Sequence, residues 1–174
     1  MSEKEFDVYF SLKKKKLESG IFNKLDESST FFYSDDIEID SIDENTNFQN
    51  VELSIEKNIK KIEKNIGKFV NNIFLMIDTD QTISICISLM KKIDNRKIQK
   101  KDIQYLIQDA KQQILLAYSN MSIFHIIINK YVIDGLDYNF APKDISCNKI
   151  SLDIEFICFP RNLIKKLEGL FSNF

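Results

Sequence analysis

Apolar and polar positions alternate with clear periods along most of the chain. Between residues 100 and 118 the apolar side chains recur every three or four positions, which predicts an amphipathic helix. The following segment, residues 121–133, is rich in β-branched and aromatic residues and predicts a long strand that Asp134-Gly135 ends. A one-sided helix needs a sheet to cover, so we expect it to pack on that strand. The apolar positions of the helix are Ile103, Leu106, Ile107, Ala110, Ile114 and Ala117.

Alternation with a period of two predicts the remaining strands. Near the N-terminus three such segments predict a three-stranded meander with one buried face. Residues 78–81 have turn chemistry and predict a hairpin between strands 73–77 and 82–90, followed by a charged connector, 91–97. Residues 136–147 predict a loop. The meander segments are 6–12, 17–25 and 30–39, and the most regular strand, 150–158, has Ile150, Leu152, Ile154, Phe156 and Cys158 on its inward side.

Two further helices complete the predicted architecture. One spans residues 51–69, with Leu53, Ile55, Ile59, Ile62, Ile66 and Phe69 predicted to face inward. The other spans 162–174 and carries an apolar stripe. The fold class is therefore α+β: an N-terminal three-stranded meander with two helices, plus a small sheet with one amphipathic helix.

Composition and charge exclude several functional classes. The net charge of this 174-residue chain is −2, which argues against the basic surface that nucleic-acid binding needs. The three cysteines form neither a CxxC pair nor a cluster with the single histidine, so neither a disulfide framework nor a zinc site is predicted. Without an apolar signal region or a run of membrane-spanning length, we expect a soluble or peripheral protein of the cytoplasm.

A short series of residues after position 124 has a recognisable order: His125-Ile126-Ile127, Tyr131, Ile133-Asp134-Gly135, Pro142 and Ser146. This order resembles the FtsA family of bacterial cell-division proteins. In that family a His-Val-Ile strand ends in Tyr-x-Ile-Asp-Gly, and a loop with Asn-Pro and a Ser leads into an alternating strand. The preceding helix is similar to the family's Ile-Ser/Thr-x-x-Asp-Val…Ala-Lys, although Gln99 stands in place of the Ser/Thr cap. The matching positions here are His125-Ile126-Ile127, Tyr131, Ile133-Asp134-Gly135, Pro142, Ser146, Asp102-Ile103 and Ala110-Lys111.

The resemblance implies a domain organisation and a function. Residues 71–158 resemble the small subdomain that is inserted in FtsA, and residues 1–70 with 159–174 resemble a remnant of the first actin-like lobe. In the family this subdomain contacts other division proteins and neighbouring FtsA molecules. We therefore expect protein–protein recognition at the cytoplasmic face of the membrane, with other division proteins or the protein itself as partner. A relative of the same fold from pilus assembly is an alternative.

The family's nucleotide-binding loop is altered in this chain. Actin-like ATPases open with a strand that ends in Gly-x-Asp-x-Gly-Thr, where the carboxylate serves the metal and the glycines let amides approach phosphate. In the matching segment Ser11 replaces the aspartate and Lys13 replaces the second glycine. We expect the second phosphate loop and the adenosine pocket of the family to lie beyond residue 174. The resemblance thus implies a protein that is not an enzyme and has no cofactor, small-molecule substrate or metal.

Several residues have two interpretations, one functional and one purely structural. His125 as a general base would need an orienting carboxylate that the sequence does not identify, so a structural role is preferred. The lysines at 13–16 favour a solvated strand end over a lipid or nucleic-acid contact, because four lysines in an acidic protein create little net field. The acidic pairs at 35–36 and 78/80 lack the spacing of a calcium loop and favour turn chemistry.

The C-terminal stripe has two readings as well. It could pack on the sheet or could lie on a membrane surface, which would make the protein a peripheral adaptor anchored by this helix. Packing is preferred, because amphipathic helices in soluble domains usually face a core. The residues of the possible membrane contact are Leu167, Leu170, Phe171 and Phe174.

Exposed polar residues on rigid elements are the predicted sites of partner contact. We assign them to the start of the helix at 100 and to the polar face of the last strand. The predicted contact residues are Lys100, Lys101, Gln104, Ser151, Asp153 and Glu155.

Overall fold

A computed structural model of the chain describes residues 6–24, 28–142 and 144–172. The α+β fold class is confirmed: strands and helices are mixed, and the strands form two four-stranded sheets. The helices are α1 (Gln49–Ile66), α2 (Lys100–Ala117) and α3 (Arg161–Phe171). The strands are β1 (Phe6–Lys13), β2 (Lys16–Asn23), β3 (Ser28–Asp36), β4 (Ile73–Ile77), β5 (Ile83–Lys97), β6 (Met121–Ile133), β7 (Leu136–Tyr138) and β8 (Ser146–Pro160).

The chain divides into two compact units, of which the first comprises residues 1–81 and 163–174. Its sheet has the order β3-β2-β1-β4, and β1, β2 and β3 form the predicted antiparallel meander. The predicted hairpin between strands 73–77 and 82–90 is wrong. β4 pairs in parallel with β1, reached through α1, whereas β5 belongs to the other sheet. Residues 78–81 do separate two strands, as their turn residues predict. The two strands are not neighbours in a sheet.

Both α1 and α3 cover one face of the first sheet. Apolar residues of β1 and β2 form a single core with the inward sides of the two helices. Two positions of α1 differ from the prediction: Leu53 is 60% exposed, and Phe69 is 83% exposed and lies beyond the helix. The inward side of α1 begins at Val51, so Leu53, two residues further on, lies nearly opposite. The buried core residues on these two strands and two helices are Val8, Phe10, Leu12, Leu17, Ile21, Val51, Ile55, Ile59, Ile62, Leu163, Leu167 and Leu170; Ile37, Ile39, Ile42 and Phe48, between β3 and α1, complete the core.

The second unit comprises residues 82–162, and its sheet has the order β5-β8-β6-β7. β8 lies in the middle and pairs antiparallel with β5 and β6. Its alternation was predicted correctly, since the five inward residues from Ile150 to Cys158 are all buried and share a core with α2. The helix therefore packs on the sheet as expected, through Leu106, Ala110 and Ile114.

Two segments of the second unit carry more strand than predicted. The charged connector at 91–97 is the continuation of β5, which is kinked by a bulge where Asp94 and Asn95 have positive φ values of 56° each. The predicted loop after Gly135 contains the short strand β7, which pairs with β6 across the two-residue Asp134-Gly135 turn. Both segments carry charged and polar residues, so the sequence does not predict strands there. Edge strands tolerate such side chains, whereas central strands do not.

Candidate functional site

The start of α2 presents three polar side chains to solvent. Lys100, Lys101 and Gln104 are exposed, as the sequence predicted for this part of the helix. Asp102 is the exception in this turn: its side chain points inward and is completely buried. Its Oδ2 accepts a hydrogen bond of 3.0 Å from the Gln99 amide, which caps the first turn from inside the helix.

A cluster of two partly exposed cations around the buried Asp102 holds this helix start against β5. The Arg96 guanidinium donates to both carboxylate oxygens of Asp102, at 2.7 and 2.8 Å, and Lys91 Nζ donates to Oδ1 at 2.8 Å. These donors, Arg96 first, hold the pKa of Asp102 well below its ordinary range despite its burial. Lys91 Nζ also lies 4.6 Å from the centre of the Tyr105 ring. The cluster fixes the exposed lysines of α2 on a rigid support.

The predicted residues of β8 lie on the face of the second sheet that points away from α2. Ser151, Asp153 and Glu155 alternate with the buried residues and are half-buried, where full exposure was predicted. The neighbouring strands explain the difference, because they contribute side chains to the same face. We call the surface formed by Ser84, Ser88, Met90, Ile127, Lys130, Ser151, Asp153 and Glu155 the open face.

Hydrogen bonds across three strands organise the open face. Ser88 Oγ donates to Asp153 at 2.6 Å, and Ser84 Oγ donates to Glu155 at 2.5 Å. Lys130 lies 3.5 Å from the second oxygen of Asp153. Within the described residues the side-chain donors to Glu155 are the neutral Ser84 and Asn129, and Ile127, directly across from Glu155, is 45% exposed. A carboxylate bordered by apolar side chains suits a cationic or amphipathic protein surface.

The structure does not unite the two groups of predicted contact residues. Lys100, Lys101 and Gln104 lie on the helix side of the sheet, whereas Ser151, Asp153 and Glu155 belong to the opposite side. One flat partner surface cannot contact both. The serines at 84 and 88 and Lys130 were missed by sequence reasoning, because their place beside the carboxylates depends on which strands pair.

The histidine and the acidic pairs considered as candidate sites form no common site in the described part of the chain. His125 is exposed on β6 at a bulge, and its ring meets Phe124 edge-on with 5.8 Å between ring centres. In the described part of the chain, no group of three or more His, Cys, Asp or Glu side chains is arranged to hold a metal ion. The acidic residues instead contact side chains that are distant in sequence: Asp35, at the end of β3 rather than in a turn, accepts from Asn58 at 2.8 Å, and Asp80 accepts from Lys14 at 2.5 Å.

The apolar stripe of α3 lies in the core of the first unit. Leu167 and Leu170 are 3% and 8% exposed, and the ring of Phe171 meets Phe10 edge-on with 5.7 Å between ring centres. These side chains pack on the sheet, and Phe174 lies outside the described residues. Among the described helices none has the length and apolar character to cross a bilayer.

The segment that matches the nucleotide loop is a tight hairpin. β1 and β2 are paired as far as Lys13 and Lys16, so the turn consists of Lys14 and Lys15 only, with Lys15 at φ 62°. Lys13 Nζ donates to Glu18 at 2.7 Å, and this contact lowers the pKa of Glu18. The altered loop thus carries a cation that already has a carboxylate partner.

Comparison with protein families finds a similarity in the second unit. Residues 80–158 match the family described as the SHS2 domain inserted in FtsA. The match covers less than half of the chain and nearly coincides with the second unit, 82–162. The resemblance that begins at His125 is confirmed for this part of the chain. No curated protein matches the sequence significantly.

Two solved structures are similar to the whole chain at low identity. One is the cytoplasmic domain of EpsL, an inner membrane component of the type II secretion system of Vibrio cholerae, with 7% identity, 97% of this chain and 53% of that chain covered, and a TM-score of 0.47. The other is a Bacteroides thetaiotaomicron protein of actin-like ATPase fold and unknown function, with 11% identity, 96% and 49% coverage, and a TM-score of 0.35. The chain spans about half the length of each.

Proposed function

We propose that this protein is a non-catalytic FtsA-like interaction module that acts in bacterial cell division at the cytoplasmic face of the membrane. The observation that carries the proposal is the coincidence of the matched SHS2 domain, 80–158, with a compact unit that has its own sheet, helix and core. A domain inserted in a larger protein and folded around its own core is suited to present a surface to a partner.

The surfaces of the second unit support recognition of a protein. The start of α2 offers lysines on a helix that the buried Asp102 cluster holds in place, so little entropy is lost when a partner binds there. The open face combines carboxylates with exposed apolar side chains, among them Ile127 and Met90, which is 57% exposed. Mixed apolar and charged surfaces on rigid elements are typical of non-obligate protein interfaces.

Capture from a lysate of the cell that encodes the protein tests this function. We expect the wild-type chain to retain division proteins and the variant Lys100→Glu/Lys101→Glu to lose some of them, because the cationic helix start becomes anionic. Asp153→Asn/Glu155→Gln tests the open face separately with isosteric side chains. The matched control is Lys64→Glu/Lys68→Glu, the same charge change at exposed positions of the first unit. Retention of no division or membrane protein by the wild type would refute the proposal.

A further inference from the structure

β5 presents a long free edge. It is an outer strand of the second sheet, hydrogen-bonded to β8 on one side, and no other strand in the described part of the chain pairs with it. Its pairing with β8 is regular from Ile83 to Lys92, before the bulge. Along this stretch the side of β5 that faces away from β8 offers unpaired backbone N–H and C=O groups, which form a template for an added strand.

This edge lacks the features by which proteins usually protect a free edge. From Ile83 to Met90 it contains no charge, proline, glycine or bulge. The free edge of β6 differs, because two bulges, near Phe124 and Asn129, interrupt its register. β4 and β7 are only five and three residues long. β3, the other outer strand of the first sheet, ends in Asp35-Asp36, and its pairing with β2 shifts register between Gly20 and Phe22. Among the edges of the two described sheets, β5 alone combines length, regular pairing and an uncharged stretch.

The end of this edge is strongly basic. Residues 91–102 contain six cationic and two acidic side chains, a net charge of +4 in a chain whose total is −2. Lys91 and Arg96 serve Asp102, whereas Lys92 and Lys101 are exposed and form no ion pair with any described residue. Because Lys91 contacts Tyr105, the side of α2 that carries Tyr105 lies next to β5, and Lys101 precedes it by one turn on the same side.

The two free lysines therefore flank the edge from both faces of the sheet. Lys92 follows Met90 on the open face, and Lys101 lies on the helix side. A strand added to β5 would pass between them at this end. Acidic side chains there would meet a cation on each face, whereas basic ones would be repelled.

We propose that the edge from Ile83 to Lys92 binds an extended segment of a partner protein as an additional β-strand, with acidic residues of that segment between Lys92 and Lys101. This inference rests on the proposed recognition function and specifies its site and the chemistry of the partner. Main-chain hydrogen bonds supply affinity, and the alternating side chains and the basic end supply selectivity.

Amide hydrogen exchange of the full chain, followed by NMR, tests strand addition directly. In the free protein every second amide of the edge is bonded to β8, so protection should alternate along it. The probe is a synthetic peptide of alternating valine and threonine that ends in a run of aspartates; a second peptide carries the aspartates at its other end. We expect one of them, depending on strand polarity, to protect the remaining amides between Ile83 and Lys92.

Charge reversal tests the basic end. Lys92→Glu/Lys101→Glu should weaken binding of the aspartate peptide by about tenfold or more, and Lys64→Glu/Lys68→Glu in the first unit should leave it unchanged. The same exchange pattern in the free variants shows that they remain folded. A peptide with lysines in place of the aspartates should not bind. Equal binding of both peptides, or binding without edge protection, would overturn the proposal.

Two further outcomes are distinguishable. Protection that rises with protein concentration in the absence of peptide, together with a disulfide between two copies through the exposed Cys86, would overturn the proposal in favour of a second copy of this chain. Capture of division proteins that persists when the aspartate peptides fail to protect the edge would leave the recognition function standing and reject strand addition as its mechanism.

Discussion

Asp102 shows how a single residue sets the geometry of the candidate site. A fully buried carboxylate is costly unless charges and hydrogen bonds compensate for its desolvation, and here Arg96, Lys91 and the Gln99 amide do so. The same contacts tie the bulged end of β5 to the first turn of α2. Asp102 therefore positions Lys101 and Lys92 relative to each other without contacting a partner itself.

Replacing Asp102 with asparagine should destabilise the protein by about 2–4 kcal/mol, since two cations lose their common carboxylate. Chemical denaturation provides the measurement. Asp109→Asn is the matched control on the same helix; among the described residues this carboxylate accepts a hydrogen bond from the Gln113 amide alone, at 3.2 Å, and its removal should change stability by no more than about 0.5 kcal/mol. Equal effects of the two substitutions would show that the buried cluster contributes little.

The destabilisation by Asp102→Asn should depend on pH in a defined direction. The pKa of Asp102 is lower in the folded chain than in the unfolded chain, so the carboxylate contributes its full stabilisation above the unfolded pKa of about 4. As the pH falls below that value, the unfolded chain takes up the proton first and the contribution declines. The difference in unfolding free energy between wild type and variant should be constant near neutral pH and should shrink below about pH 4.

For single residues, the sequence predicted solvent exposure better than it predicted which side chains contact each other. The exposed positions of α2 and the inward positions of β8 follow from periodicity alone. The cluster around Asp102 does not, because Arg96 lies in a segment that reads as a connector and reaches Asp102 only through a bulge in β5. Bulges leave no periodic signal in the sequence.

At the scale of elements, the local signals identified the strands but not all of their partners. Turn residues at 78–81 and two flanking apolar segments favour a hairpin, yet β4 pairs in parallel with β1 and β5 pairs with β8. Those partners are distant in sequence, and local turn chemistry cannot encode them. The meander of β1 to β3 was predictable because its strands are neighbours both in sequence and in the sheet.

Helix α3 gives the prediction at this scale. Leu167→Ala should destabilise the protein by about 2–4 kcal/mol, because the side chain is 3% exposed within the core of the first unit. Leu116→Ala, at a position of α2 that is 75% exposed, should cost about 0.5 kcal/mol or less. Denaturation together with co-sedimentation on liposomes checks both. Loss of lipid binding by Leu167→Ala at unchanged stability would instead identify α3 as a membrane contact.

At the scale of the whole molecule, each compact unit has its own core and sheet. The family resemblance is confirmed where the strand–helix–strand–strand pattern is most regular, within 80–158. Assignment of the first unit to a remnant of an actin-like lobe stays a prediction. Its motifs in the sequence are short, and the segment that would identify an ATPase, the phosphate loop, is the one that departs from the family pattern.

That departure leads to the last prediction, that the protein does not bind Mg-ATP. A phosphate loop needs backbone amides that converge on the ligand, and a carboxylate for the metal. The turn here contains only Lys14 and Lys15, between paired strands, and Ser11 is a poorer metal ligand than aspartate. Ion pairing also occupies two of the local cations: Lys14 is bonded to Asp80, which raises the pKa of Lys14, and Lys13 is bonded to Glu18.

Titration calorimetry of the full chain with Mg-ATP, in low salt, measures this directly. We expect no saturable heat, and the variants Ser11→Ala and Lys13→Ala should behave like the wild type, because neither side chain has a phosphate to contact. An exposed lysine could still attract polyphosphate by charge alone, and such binding would vanish at physiological ionic strength and would not distinguish ATP from tripolyphosphate. Saturable micromolar binding that prefers ATP and is lost on changing Ser11 or Lys13 would show that this hairpin does bind nucleotide, and it would refute both this prediction and the assignment of a non-catalytic role.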